Sequence, residues 1–341
     1  MIRNPSRRSV LAGMAGAFSI ASARAAAADT EPFYRGRTIA ILVGFAPGGG
    51  VDTTARVVAK NFVRFVPGTP NVLVQNMEGA AGAVAANHLY TRVAPDGLTL
   101  AIPGRSWFIE GVVKSPGIRF DPAKLSYIGS PGAVNSVFYV RTSTGVKSFA
   151  DLKASKRPLT FGALASNTAT AMIPALLANN GVPIKVVAGY GSSARILIAL
   201  EQGEVDGYYT VEDTFARRKD LIDKKVVVPI MQYHPEHPNL PVVADVLPES
   251  TGPLLRLVMA LESFGLPLVG PPGIPGDRLE ALRKAFTAMA KDGEYRADAA
   301  RVDMPVDGAL DGEELAAMMA ELAKSATPDV VAGYRRLIGG R

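Results

Sequence analysis

Three successive glycines, Gly48 to Gly50, separate an apolar run, Thr38 to Phe45, from a segment in which Val51, Ala55, Val58, Phe62 and Phe65 recur at helical spacing. Strand, glycine loop and helix in that order place backbone N–H groups and the positive end of a helix dipole at the carboxyl end of a strand. That is a place for an anion. Glycine lets the Ala46, Gly48 and Gly49 backbone approach a ligand that side chains would hold off. A tight strand-to-helix turn needs the same glycines, and spacing alone does not separate the two readings. No Gly-Lys-Ser/Thr follows, so the loop lacks the lysine that neutralises a polyphosphate. Asp52, in the first helical turn, reads as a cap and loop organiser, since a carboxylate there is stabilised by the dipole but would repel an anion at close range.

Other residues offer chemistry of the same kind. Arg105, followed by Ser106 and Trp107, comes directly after the apolar run Leu98 to Ile102, where a guanidinium would pair bidentately with a carboxylate or with a neighbouring acid. Trp107 reads as core before cleft wall. Gly189-Tyr190-Gly191-Ser192-Ser193-Ala194 matches the glycine pattern of dinucleotide sites, with Asp206 downstream. The match falls mid-chain and Asp206 lies only 15 residues past Gly191, so a carboxylate cradle fits better: Tyr190 as a wall, Gly191, Ser192 and Ser193 as donors. Glu212 and Asp213, after the run Val205 to Tyr209, could meet a ligand hydroxyl or amine, or simply be solvated. His234 and His237 are flanked by Pro235 and Pro238, which removes a helical zinc face. No nucleophile elbow occurs, because Gly191-Ser192-Ser193-Ala194-Arg195 fails at its last position. The pattern calls for no catalytic residue, no cofactor and no metal.

These residues need a scaffold of repeated strand-loop-helix units, which argues for α/β architecture around largely parallel sheets. Strands are expected at Thr38 to Phe45, Asn71 to Gln75 and Leu98 to Ile102, with helices after the first two. The grammar restarts at Ser136 and runs through Leu159 to Ala163, Ile184 to Ala188, Val205 to Tyr209 and Val226 to Ile230. Pro235 to Pro253 reads as a surface connection; Leu257 to Leu261 and Phe264 to Val269 read as strands, followed by two carboxyl-terminal helices packed on the first domain. The expected division is 1–28 as a leader, 29–135 with 262–341 as domain 1, and 136–261 as domain 2.

Arg3, Arg7 and Arg8 precede a small apolar run, Val10 to Ala23, with small-residue cleavage options after it, which reads as an export signal. Ser6-Arg7-Arg8-Ser9-Val10-Leu11 looks like a twin-arginine leader, an ordinary secretory signal being the alternative. No cysteine occurs among the 341 residues, which excludes disulfides and thiol chemistry and suits an oxidising periplasm. Subtracting Arg3, Arg7, Arg8 and Arg24 from 37 basic residues leaves 33 against 31 acidic ones, no case for nucleic acid.

At these residues the chain resembles the Bug, or TctC-like, family of periplasmic receptors for tripartite tricarboxylate transporters. Val43-Gly44-Phe45-Ala46-Pro47-Gly48-Gly49-Gly50-Val51-Asp52 stands where the family reads V-x-F-x-P-G-G-G-x-D. Asn76 with Gly79 to Gly82, Ala94-Pro95-Asp96-Gly97-Leu98-Thr99-Leu100, Val205-Asp206-Gly207 and Gly265 to Pro275 match further family segments in order. The resemblance implies a two-domain fold like type II periplasmic binding proteins, with the ligand cleft between the domains. It implies a non-enzymatic, monomeric receptor that holds a small carboxylate (a di- or tricarboxylate, an acidic amino acid or an aromatic acid) and passes it to membrane subunits, or to a sensor; the alternative is an exported enzyme acting on a small carboxylate in the same cleft. Carried over, it implicates Ala46, Gly48, Gly49 and Asp52 on one side, and Ser166, Asn167, Tyr190, Gly191 and Ser192 on the other. Two departures stand out: Tyr190-Gly191-Ser192 replaces the usual Y-K-G, and Arg105 stands where many relatives carry a small polar residue.

Overall fold

The computed structural model describes residues 33–132, 134–216 and 218–339; the expected leader lies outside them. The chain opens as β1 (Thr38–Val43), α1 (Gly50–Phe62), β2 (Asn71–Asn76), α2 (Ala83–Arg92), β3 (Thr99–Ile102), α3 (Trp107–Val112) and β4 (Ser126–Ser130). It continues as β5 (Ser136–Arg141), α4 (Phe149–Lys153), β6 (Leu159–Ala163), α5 (Ala169–Asn179), β7 (Ile184–Ala188), α6 (Ser193–Gln202), β8 (Gly207–Val211) and β9 (Val227–Gln232). It ends as α7 (Gly252–Ser263), β10 (Leu268–Gly270), α8 (Gly276–Ala290), α9 (Gly293–Ala300), β11 (Leu310–Asp311), α10 (Gly312–Ser325) and α11 (Pro328–Leu337).

Two sheets result, in the orders β11-β4-β10-β3-β1-β2 and β7-β6-β8-β5-β9. β1 pairs in parallel with β2 and β3, and β6 with β7 and β8. β5 and β10 run antiparallel to their neighbours. Each is the strand by which the chain enters a sheet from the other lobe, β5 coming after β4 of the first sheet and β10 after β9 of the second and α7. A chain arriving at the cleft must run away from it, against the strands that end there. Ser136 therefore lies opposite Val211, the last residue of β8.

Apolar alternation and spacing explain most elements, as in α1, which buries Ala55, Val58, Ala59 and Phe62. Leu257 to Leu261 differs from expectation. It is helical within α7, because Leu254, Leu257, Val258 and Leu261 repeat at helical spacing and Pro253 sits in the first turn. α7 packs against α3 of the first lobe, α5 of the second, and α10 and α11. One buried apolar cluster consequently joins Trp107, Phe108 and Phe264 to Phe138, Met172 and Tyr209 of the second lobe. Two smaller clusters stay within one lobe each.

Candidate functional site

The loop after β1 is built around Asp52. Its carboxylate is nearly fully buried, and accepts from the Gly48 amide at 2.9 Å, Arg56 Nε at 2.9 Å and Asn76 Nδ2 at 2.8 Å. The Asn76 amide also donates to the Phe45 carbonyl at 2.8 Å, tying the end of β2 to the glycine loop. Burial pushes the Asp52 carboxyl up, but the bonds from Arg56, Gly48 and Asn76 outweigh it and hold the group below the usual carboxylate range. Asp52 thus organises the loop, as its position in the first helical turn suggests. Both its oxygens accept hydrogen bonds from the protein. Ala46, Gly48 and Gly49 are exposed, and a side chain on Gly48 would meet nothing within 4 Å. The Gly48 amide is spent on Asp52, so the first-turn amides of α1, which have no intrahelical acceptor, are the donors that remain here.

Neighbouring loops close in on this one. A Cβ on Gly44 would lie 2.1 Å from the Pro103 carbonyl oxygen, and one on Gly82 would lie 1.9 Å from it. Gly79, Ala80, Ala81 and Gly82 all have positive φ, from 46° to 135°, so the turn entering α2 carries two alanines in the left-handed region. The tryptophan is core: Trp107 is fully buried and its Nε1 donates to the Gly104 carbonyl at 3.2 Å.

Arg105 and Ser106 lie between β3 and α3. Ser106 is buried and stands at the amino end of α3 without a side-chain cap bond. Arg105 is half-buried, and its Nε is shielded without a hydrogen-bond acceptor. After burial, which raises both, the Arg105 charge lowers and the Asp213 charge raises the pKa of Tyr208 on β8 and of Glu262 at the end of α7. Glu262 is fully buried. Burial raises its carboxyl above the usual range, against the opposing pull of Arg105, and Oε2 has no hydrogen-bond partner.

The second lobe presents its loops to the same space. Asn167, after β6, donates through Nδ2 to Glu110 Oε1 on α3 at 2.9 Å, and Tyr334 on α11 donates to the same oxygen at 2.8 Å. Asn167 is therefore a bridge between the lobes, its amide nitrogen spent on Glu110. Ser166 beside it is exposed, and Thr168 caps the turn by donating to the Ala165 carbonyl at 2.7 Å. The Tyr190 hydroxyl donates to Glu204 at 2.5 Å, while the Gly191 amide is 3.4 Å from the Leu164 carbonyl. Both are drawn back onto their own lobe, which leaves the first-turn amides of α6, capped by Ser192 Oγ accepting from Arg195, as the donors at that loop.

Asp213 opens a single helical turn past β8 and lines a cavity of ≈ 510 Å³ with Asn135, Glu212, Glu236, Asp303 and Asp307. Glu212 pairs with His237 Nε2. Asp206 belongs elsewhere: Arg157 grips it bidentately at 2.7 and 2.8 Å and the Thr160 amide donates at 2.9 Å, all at the amino ends of the second sheet's parallel strands. That pairing accounts for the acid that a dinucleotide reading would have used. Among the described residues no cluster of three or more metal-ligating side chains occurs, and no helix is long and apolar enough to cross a membrane.

Glu110 and Glu262 were not singled out by sequence reasoning. Each stands alone in an apolar run, Trp107 to Val113 and Leu257 to Leu266, and a lone acid there is the signal that points to a buried, paired carboxyl.

No family model matches the chain. It is 26% identical over 256 residues to a UPF0065 protein in the tcbD-tcbE intergenic region of Pseudomonas sp. strain P51, covering 72% of each chain. It is 38% identical over 87 residues to BugT of Bordetella pertussis, 26% of each. Its fold is similar to that of MatC from Rhodopseudomonas palustris with bound malate, at TM-score 0.63 and 19% identity over 89% of this chain and 99% of that one. A TctC solute-binding protein from Polaromonas is similar at TM-score 0.64 and 18% identity, over 90% and 99%. The ordered motifs around Gly48 to Asp52, Asn76 and Pro95 to Leu100, these sequence relatives and the shared fold agree with the resemblance to the Bug, or TctC-like, family.

Proposed function

We propose that this chain is an exported, monomeric solute-binding protein, without chemistry of its own, that captures a small carboxylate between its lobes. It would surrender the ligand to the membrane subunits of a tripartite tricarboxylate transporter or to a sensor. The division that serves this reading is 136–261 as one domain and the rest of the mature chain as the other, the leader at 1–28 directing export to the periplasm.

The observation that carries the reading is that helices begin at the carboxyl ends of parallel strands in both sheets, α1 after β1 in the first lobe and α5 and α6 after β6 and β7 in the second, with the loop into α5 bonded across to α3 of the first lobe. Each end presents unpaired N–H groups and about half a positive charge. An anion lying between them is held fully only when both lobes reach it, so capture and closure are coupled. MatC, which is similar in fold, has malate, a small carboxylate, bound to it. Backbone groups of Ala46, Gly48, Gly49, Ser166, Gly191 and Ser192, with Arg105, Ser106 and Asp213 at the hinge side, border the space. Asp52, Asn167 and Tyr190 position it.

Thermal unfolding of the mature protein against aliphatic and aromatic carboxylates tests the reading. One chemical group should raise the melting temperature by binding the native state. A rise with neutral or cationic solutes alone, or turnover of a bound carboxylate, would overturn it.

A further inference from the structure

Two crossings carry the chain between the lobes, one from β4 to β5 and one from α7 to β10, and they are laced side by side. Ser130 Oγ donates to the Phe264 carbonyl at 2.8 Å, the Val134 amide donates to the Glu262 carbonyl at 3.2 Å, and a Cβ on Gly265 would lie 2.0 Å from the Gly132 carbonyl oxygen. Any parting of the lobes must bend the chain here. Glu262, in the last turn of α7, belongs to this joint and is 1% exposed.

The joint offers that carboxyl few partners. Tyr209 on β8 donates to Oε1 over a long 3.5 Å, while Oε2 is shielded without a hydrogen-bond partner. Ser136 Oγ, at the start of β5, is likewise shielded. Tyr233, just past β9, donates to the Met259 carbonyl at 2.8 Å and lies 3.0 Å from Ser263 Oγ. On the adjoining α3, Glu110 is already engaged by Asn167 and Tyr334. The charged groups that act on Glu262 are Arg105, after β3, and Asp213, past β8; burial pushes the carboxyl up, Arg105 draws it down and Asp213 adds to the rise. A neutral carboxyl fits such a place, whereas an ionised one would keep an oxygen with neither water nor donor.

We propose that Glu262 is a proton-linked hinge residue, which holds its proton while the lobes are closed and gives it up to entering water when they part. The inference rests on the reading of the chain as two lobes that close, whatever they hold. Its sign follows from linkage. The closed state raises the carboxyl pKa above the value it has once hydrated, so the contribution to closure is complete below the ordinary carboxylate range and is lost as pH rises through the raised value. Acid therefore favours the closed form, and each opening at higher pH releases a proton.

Small-angle scattering of the ligand-free mature protein from about pH 4 to about pH 9 tests this on the wild type, E262Q and Y209F. Glu212, Glu236, Asp303 and Asp307 around the cavity titrate in all three proteins, so the difference between their curves is what is read. The wild-type radius of gyration should rise with pH to a plateau, and E262Q, which stands in for the protonated form, should keep the compact radius throughout. Y209F removes a donor to the carboxylate, so its rise should move to higher pH by about one unit, and it carries the test if E262Q does not fold. An E262Q curve that follows the wild type, a Y209F midpoint that stays in place, or a wild-type radius constant across the range overturns the proposal. With no ligand present, none of these results bears on the carboxylate reading, which the thermal unfolding series decides.

Discussion

Replacing Asp52 with asparagine should release the glycine loop, not merely weaken a ligand contact. Three donors converge on this carboxylate, at 2.9, 2.9 and 2.8 Å. The pair with Arg56 counts for little, since the arginine side chain is 50% exposed and its charge is screened. The bonds from the Gly48 amide and the Asn76 side chain are shielded, and a hydrogen bond to a charged acceptor contributes about 1.5 kcal/mol. Asparagine keeps one accepting oxygen, so one of these bonds is lost and the other loses only its charged acceptor; the cost is about 2 kcal/mol, and at about 2 °C per kcal/mol for a chain of this size the melting temperature should drop by about 4 °C. The pH dependence carries a sign. The folded-state pKa of Asp52 is depressed, so its contribution is present above the ordinary carboxylate range and is lost as pH falls through the depressed value. The gap between wild type and D52N should therefore narrow between pH 7 and about pH 3. Scanning calorimetry along that series, with N76A as the partner in a double-mutant cycle, checks it. A D52N protein that melts within about 1 °C of the wild type at pH 7 while losing ligand affinity would refute the loop-organiser role in favour of a direct contact.

Gly82→Ala should prevent folding or cost more than about 4 kcal/mol, because its Cβ would lie 1.9 Å from a backbone oxygen at φ +96; Gly48→Ala, with open space at φ +78, should cost only about 1–2 kcal/mol, as thermal melts would show. Asp206→Asn should lower stability in urea by about 2 kcal/mol through loss of the Arg157 and Thr160 bonds, and leave ligand affinity unchanged because it lies at the far end of the sheet. Glu110→Ala strands two donors and should cost about 2–4 kcal/mol, whereas Asn167→Ala removes one of them and should cost about 1 kcal/mol. Because the Asn167 bond crosses the cleft, its loss should also enlarge the ligand-free radius of gyration in small-angle scattering.

Local spacing made much of this architecture legible. The strand-glycine-helix order around Gly48 and the alternating units from Ser136 onward depend on near neighbours in the chain, so periodicity reveals them. Leu257 to Leu261 was ambiguous because a short apolar run suits a buried strand and a buried helix alike. Only packing against α5 and α11 decides it. Within the site, Asp52 could be read from its place in a helical turn, but not the engagement of Asn167 by Glu110 or of Tyr190 by Glu204. Those partners are 57 and 14 residues away, and a polar side chain shows no sign in sequence of having found one. Arg105 stood out as a residue type; that its Nε is shielded without an acceptor emerges only from the fold.

The apolar cluster shared by both lobes makes the two halves inseparable as folding units. Excising 136–251 would strip Met172, Ile173, Leu176 and Leu177 of the α7 and α11 surfaces that cover them. Heating should consequently melt the protein in a single transition, and a protease that nicks the 131–135 crossing should leave both pieces associated. A foreign lobe grafted onto this frame to change what it binds would have to bring, or be refitted to, the two helices that seal the join.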